Sequence, residues 1–161
     1  DEGAKVFIYD IFPETLKKVA AETGAEIVEA DQVYTLPVDI YAPCALGGTL
    51  NPDTIPQLTC DIVAGAANNQ LLDEVRDGKA LEERGILYAP DFMVNAGGII
   101  NVSLELSTYN RERAYALTDK IYETSLQIFK MAKEQGITTH MAALRAAEMR
   151  IQAVGNNLLY R

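Results

Sequence analysis

The sequence predicts an α/β fold built on a doubly wound, mostly parallel sheet. Two observations predict it. First, short continuous apolar runs alternate with stretches that carry helical start and stop signals. Second, three of these runs break off alike, into small and amide residues. They are Asp39-Ile40-Tyr41-Ala42-Pro43-Cys44-Ala45-Leu46-Gly47-Gly48, Asp61-Ile62-Val63-Ala64-Gly65-Ala66-Ala67-Asn68-Asn69, and Ile86-Leu87-Tyr88-Ala89-Pro90-Asp91 running on to Val94-Asn95-Ala96-Gly97-Gly98. Apolar runs without alternation suit strands covered on both faces, as in a parallel sheet. Small residues at a strand end let a ligand approach the backbone, and Asn adds a donor and an acceptor. Open α/β sheets bind ligands at the carboxyl ends of their strands. Three such ends in one chain point to an extended ligand, such as a dinucleotide.

The first strand is expected at Ala4-Lys5-Val6-Phe7-Ile8-Tyr9-Asp10. Pro13 suits the first turn of the helix that follows, where its missing N–H costs nothing. Leu16, Val19 and Ala20 give that helix an apolar stripe, and Gly24 is placed to end it in the left-handed region. Glu26-Ile27-Val28 reads as a second strand, and Asp31 to Pro37 as a polar connection. Asn51 and Pro52 can start a short helix through Leu58. The strand at Ile62–Ala64 comes next. Gln70 to Arg84 carries helical signals interrupted at Gly78 and ended by Gly85, before the strand at Ile86–Ala89.

The last third changes character. From Ala96 to Gln135 there is no proline, and Ala114, Leu117, Ile121, Ile128, Phe129 and Ala132 keep one helical face. Gly136 stops this helix. Thr138 or Thr139 caps a second one, striped by Leu144, Ala147, Ile151 and Val154 and ended at Gly155-Asn156-Asn157. The expected division is a partial dinucleotide-binding domain over 1–100 and a C-terminal segment of two helices over 101–161.

Composition narrows the function classes. The chain has 161 residues, 48% of them hydrophobic, which is enough for a core. A net charge of −9 makes nucleic acid and anionic membrane poor partners. No apolar run approaches the ~20 residues of a membrane span, and no signal peptide is visible. Cys44 and Cys60 read as reduced, small core residues, which fits a cytoplasmic location. The single histidine, His140, excludes a His-rich metal site and reads as an exposed residue in a helix's first turn.

The chemistry-bearing residues each have two readings. Asp10 ends a strand, where an acid in dinucleotide-binding folds accepts from the adenosine ribose and disfavours a 2′-phosphate. It also reads as an ordinary strand-end or capping Asp. Asn68 and Asn69 could bond a carboxamide or a substrate carboxylate, or could cap the next helix; Asn95 has the same two readings. Cys44 has no neighbouring His or cationic run to activate it as a nucleophile. The motif G-x-G-x-x-G is absent. If Asp10 is the ribose acid, the fold is Rossmann-like with its first strand and glycine-rich turn upstream of residue 1. The strand order 3-2-1-4-5-6 then leaves a gap in the sheet, and these residues are expected not to fold cooperatively alone.

Three strings carry a resemblance to a known family. Ala42-Pro43-Cys44-Ala45-Leu46-Gly47-Gly48, Ala64-Gly65-Ala66-Ala67-Asn68-Asn69-Gln70-Leu71 and Tyr88-Ala89-Pro90-Asp91-Phe92-Met93-Val94-Asn95-Ala96-Gly97-Gly98 resemble the leucine/phenylalanine/valine branch of the amino-acid dehydrogenases. Asn101-Val102 and Tyr109-Asn110-Arg111-Glu112-Arg113 are similar to its leucine type in particular. The resemblance runs in order from about Ala4 to the end of the chain.

It implies an NAD-dependent oxidoreductase that oxidatively deaminates branched-chain L-amino acids to 2-oxo acids and ammonia. By it, Asp10 and Ile11 would meet the adenosine ribose, and Ala45 and Leu46 would flank the cofactor. Ala66, Ala67 and Asn68 would lie beside the nicotinamide and its ribose, and Asn95 would bond the carboxamide region. Asn68, Ile99 and Val102 would meet the substrate. No catalytic residue is expected in this chain, since the family's catalytic lysine and aspartate belong to an N-terminal portion. A homo-oligomer is implied. A phenylalanine- or valine-type enzyme, or a non-catalytic module binding a dinucleotide or amino acid, stands as the alternative.

Overall fold

The computed structural model describes residues 3–106 and 109–158, with side chains described as far as residue 155. The elements alternate as expected. Strand β1 (Phe7–Ile8) leads to α1 (Pro13–Thr23) and β2 (Glu26–Ile27), followed by β3 (Ile40–Tyr41), a 3-10 turn (Ile55–Gln57) and β4 (Ile62–Val63). Then come α2 (Glu74–Glu83), β5 (Leu87–Tyr88), α3 (Asp91–Val94), α4 (Gly97–Glu105), α5 (Arg111–Gln135) and α6 (Thr139–Leu158).

All strand pairing among the described residues is parallel, in two sheets. One holds β1 and β2, and the other runs β3-β4-β5 with Tyr41 beside Val63 and Val63 beside Tyr88. These pieces are the 3-2 and 4-5-6 parts of the doubly wound order, with the expected discontinuity between them. Lacking a wider sheet to cover, α1 buries none of its residues, and its stripe residue Val19 is 37% exposed.

The core lies on the three-stranded sheet. Leu50, Ile55, Leu58, Val63, Leu81 and Tyr88 form one buried cluster. Full burial of a leucine is worth roughly 1.5–3 kcal/mol. A second cluster joins Ala89 and Met93 to Ile128, Ala132, Ala142 and Ala143. Its alanines let α5 and α6 approach closely.

Local chemistry accounts for the boundaries. Gly24 takes the left-handed conformation at φ 74° and closes α1, as expected. Asn51 does cap, accepting from the N–H groups of Asp53 and Thr54, but the helix expected through Leu58 is only a 3-10 turn. Pro56 has no N–H for the next helical bond. Helix α2 starts four residues later than its signals suggested. Asp73 caps it, accepting from Val75 N and Arg76 N, so Asn68 and Asn69 are not its caps. It then passes through Gly78 without interruption; that glycine is buried, and packing offsets its roughly 1 kcal/mol propensity penalty.

The proline-free stretch is not one helix. It divides into α4 and α5, and Asn110 caps α5 by accepting from Arg113 N. The two long C-terminal helices, α5 and α6, are present as expected, with α3 and α4 added before them. Thr138 Oγ1 accepts from Met141 N at the start of α6, and Thr139 Oγ1 donates to Tyr88 O at 2.6 Å. Gly155 does not end α6: it does not turn left-handed, and the helix runs through it to Leu158.

Candidate functional site

The site is built from loops at the carboxyl ends of β3, β4 and β5. The loops after β3 and β4 are laced together by backbone. Ala67 N donates to Pro43 O at 3.0 Å, Gly48 N to Asn69 O at 2.7 Å and Leu50 N to Gln70 O at 2.9 Å. Glycine makes this possible. A Cβ on Gly65 would stand 2.2 Å from Pro43 O, and one on Gly47 would stand 2.7 Å from Asn68 O. At these positions the smallness read in the sequence admits the neighbouring loop.

Gln70 braces the second loop from beneath. Fully buried, it donates through Nε2 to Gly65 O at 2.7 Å and Ala67 O at 2.9 Å. Asn69 adopts φ 53°, a left-handed conformation that Asn tolerates better than most residues. Its N–H donates to Asp91 Oδ2 at the start of α3. Asp91 is buried, and its other oxygen lies 3.3 Å from the Tyr88 hydroxyl. Burial first, and then the Asp91 charge, push the Tyr88 hydroxyl well above its usual range. Tyr88 therefore stays protonated and donates.

Above this brace, three expected site residues come together. Asn95, at the end of α3, donates through Nδ2 to Asn68 Oδ1 at 2.6 Å and to Ala66 O at 3.3 Å. Asn68 and Ala66 are exposed. Ala67, between them, is 5% exposed, and its N–H is the one that donates to Pro43 O. Ala45 and Leu46 are exposed on the preceding loop, Leu46 at 71%. Ile99 and Val102 stand 68% and 54% exposed on α4, one turn apart and able to share a face.

Asp10 and Ile11 belong to the other sheet, beyond the carboxyl end of β1. Asp10 Oδ1 accepts from Phe12 N at 2.9 Å, which turns the chain into α1. Ile11 is 70% exposed.

His140 corrects an expectation. It lies in the first turn of α6 but is only 3% exposed. Its ring meets the Phe92 ring edge-on at 5.5 Å, and Nε2 is 3.2 Å from Glu74 Oε2, off the line of a hydrogen bond. The docking of α6 against α2 buries it. With Asn69, Gln70, Tyr88 and Asp91, it lines a cavity of about 220 Å³ beneath the loop. Cys44 is exposed, not a core residue, and its Sγ accepts from Ala66 N at 3.5 Å; Cys60 is buried. Among the described residues, no cluster could hold a metal ion.

The geometry presents hydrogen-bonding amides and backbone at three adjacent parallel strand ends, which suits a flat, amide-bearing ligand. Asp91 and Gln70 were missed in the sequence because their work is to hold loop backbone. The signal for Gln70 was its amide next to an Asn pair.

Residues 9–156 match the family model described as Glutamate/Leucine/Phenylalanine/Valine dehydrogenase. Leucine dehydrogenase of Thermoactinomyces intermedius is 51% identical over 94% of this chain and 41% of its own length. L-tryptophan dehydrogenase of Nostoc punctiforme is 49% identical over 94% of this chain and 43% of its own length. The crystal structure of L-tryptophan dehydrogenase from Nostoc punctiforme superposes with a TM-score of 0.89, covering 92% of this chain and 45% of that one. This chain thus spans about two-fifths of the curated relatives it matches.

Proposed function

Because this chain belongs to the glutamate/leucine/phenylalanine/valine dehydrogenase family, we propose that it forms the cofactor side of an NAD-dependent oxidoreductase. The reaction is the oxidative deamination of branched-chain L-amino acids, leucine above all, to 2-oxo acids and ammonia. The observation that carries this reading is the Asn95–Asn68–Ala66 cluster at the ends of β4 and β5.

A bound nicotinamide dinucleotide would supply the hydride acceptor. The fit rests on the exposed Asn68 amide, held by Asn95, and on the exposed Ala66 beside it at the end of β4. Asn95 orients the Asn68 amide. That fixes which of its groups is offered to the carboxamide or the substrate. Asp10 accepts from the ribose hydroxyls, with Ile11 beside it, and its charge opposes a 2′-phosphate. Ala45 and Leu46 cover the cofactor from the β3 side. Ile99 and Val102 wall the substrate side chain.

In this reading residues 1–100 hold the cofactor and 101–161 form the helical segment. Proton transfer belongs to a separate N-terminal catalytic portion of the same protein. The protein is a cytoplasmic homo-oligomer. Among the described residues, no helix is long and apolar enough to cross a membrane.

Steady-state rates of NADH formation by the full-length protein, with L-leucine, L-valine, L-isoleucine, L-phenylalanine and L-tryptophan, test the proposal. One methylene shifts selectivity by only ~1–3 kcal/mol, so all three branched substrates should turn over, leucine fastest. Faster turnover of phenylalanine or tryptophan would replace the leucine reading with the aromatic one that the tryptophan dehydrogenase relative represents.

A further inference from the structure

Between α4, α5 and α6 runs an apolar groove of about 360 Å³. Its floor and walls include Ile100, Leu117, Ile121 and Ile128. The groove is open because α6 presents alanines to it, Ala143, Ala146 and Ala147, where larger side chains would fill the space. A volume of this size lies near the lower end of the roughly 300–1,000 Å³ of small-molecule pockets.

The charged residues at its edge are of one sign. Lys120 from α5 and Arg150 from α6 line it, and no carboxylate does among the described residues. Neither Lys120 nor Arg150 is ion-paired or hydrogen-bonded among the described residues. In a chain of net charge −9, two unpaired cations beside one apolar groove form an exception to the surface around them. Aliphatic stems of Lys and Arg extend apolar surface while their heads stay wet, so both can reach a ligand's anionic end. None of the residues assigned above to cofactor or substrate lines this groove.

The geometry points to a second binding site here, for a small amphiphile with an aliphatic tail and a carboxylate head. The tail lies along Leu117, Ile121 and Ile128. The carboxylate meets Lys120 and Arg150, with the Thr124 hydroxyl as a neighbouring donor. Binding is reversible and involves no covalent step. Its electrostatic part weakens with added salt.

The test titrates octanoate, below its micelle concentration, into full-length protein labelled at isoleucine methyls. Saturable shifts are expected at Ile100, Ile121 and Ile128, while Ile62 in the sheet and Ile86 in the core beside it stay still. The double variant Lys120→Gln, Arg150→Gln should weaken octanoate by about threefold or more. The same variant should leave binding of 1-octanol unchanged. Ala147→Leu, at an exposed helical position where Leu is a good helix former, should abolish the shifts by filling the groove. Absence of shifts at these methyls would overturn the site. Equal binding of octanoate and 1-octanol, indifferent to the double variant, would overturn the anionic selectivity.

Discussion

Asn95 and Asn68, 27 residues apart, share a 2.6 Å hydrogen bond that ties the end of α3 to the loop after β4. Each amide fixes the orientation of the other. In Asn68→Ala or Asn95→Ala, kcat/KM for amino-acid oxidation should fall roughly tenfold, about 1.4 kcal/mol. The double variant should lose less than the product of the two single losses, because both remove one shared contact. Steady-state kinetics, with circular dichroism to check the fold, decide this. Fully multiplicative losses would mean that the two amides act independently.

Gly65 and Gly98 should respond oppositely to alanine. At Gly65 the new Cβ would stand 2.2 Å from Pro43 O, an overlap only backbone movement can relieve. Gly65→Ala should cost about 1–3 kcal/mol or more. At Gly98, in the first turn of α4, a Cβ meets nothing within 4 Å. Gly98→Ala should be neutral or stabilising by up to about 1 kcal/mol. Urea unfolding midpoints of the two variants check both signs.

Asp77 should govern part of the acid stability. It is 1% exposed, accepts from Asp73 N at 2.8 Å, and meets Arg76 Nε at 2.8 Å. Burial alone would raise its pKa, but the Arg76 guanidinium and the Asp73 N–H outweigh burial and hold it below the usual carboxylate range. A depressed folded pKa means the contribution is present above the unfolded carboxylate pKa and is lost as pH falls through the folded one. Asp77→Asn should lower stability at neutral pH and flatten the loss of stability below about pH 4. Unfolding free energies measured across acid pH test this; an unchanged slope would remove Asp77 from the acid transition.

What the sequence made legible was local. Gly24 ends α1 by taking the left-handed conformation, and the apolar runs at Ile40, Ile62 and Leu87 do pair as parallel strands, but they are not covered on both faces as expected: Ile40 is 55% and Leu87 37% exposed, because helices cover only part of this small sheet. Asn68 and Asn95 were each legible as polar residues in loops after strands, but the hydrogen bond between them was not. What was not legible depended on tertiary contacts. His140 is buried because α6 docks on α2, and nothing in its neighbours announces that. Gln70 looked like the start of a helix, yet its amide is committed to Gly65 O and Ala67 O, so the helix waits for Asp73. Gly78 and Gly155 looked like breaks, but neither turns left-handed and their helices run through them.

Asp10 should set cofactor choice. One of its oxygens is held by Phe12 N at the end of β1, and in the proposed reading the carboxylate meets the ribose hydroxyls. Asp10→Ser should weaken NAD use and narrow the preference over NADP, because a charge opposing the 2′-phosphate is gone. Kinetics with both cofactors in the full-length protein measure the ratio. A ratio unmoved by the substitution would take Asp10 out of the site.

The most direct measurement is an NAD titration of the full-length protein followed through backbone amide resonances. Saturable shifts are predicted at Asp10 and Ile11, at Ala45 and Leu46, and at Ala66, Asn68 and Asn95. Smaller ones are predicted at the braced residues Gln70 and Asp91. The groove between α4, α5 and α6 should stay unperturbed. Absence of shifts at the ends of β3, β4 and β5, or shifts confined to α5 and α6, would contradict the assignment of these loops as the dinucleotide site.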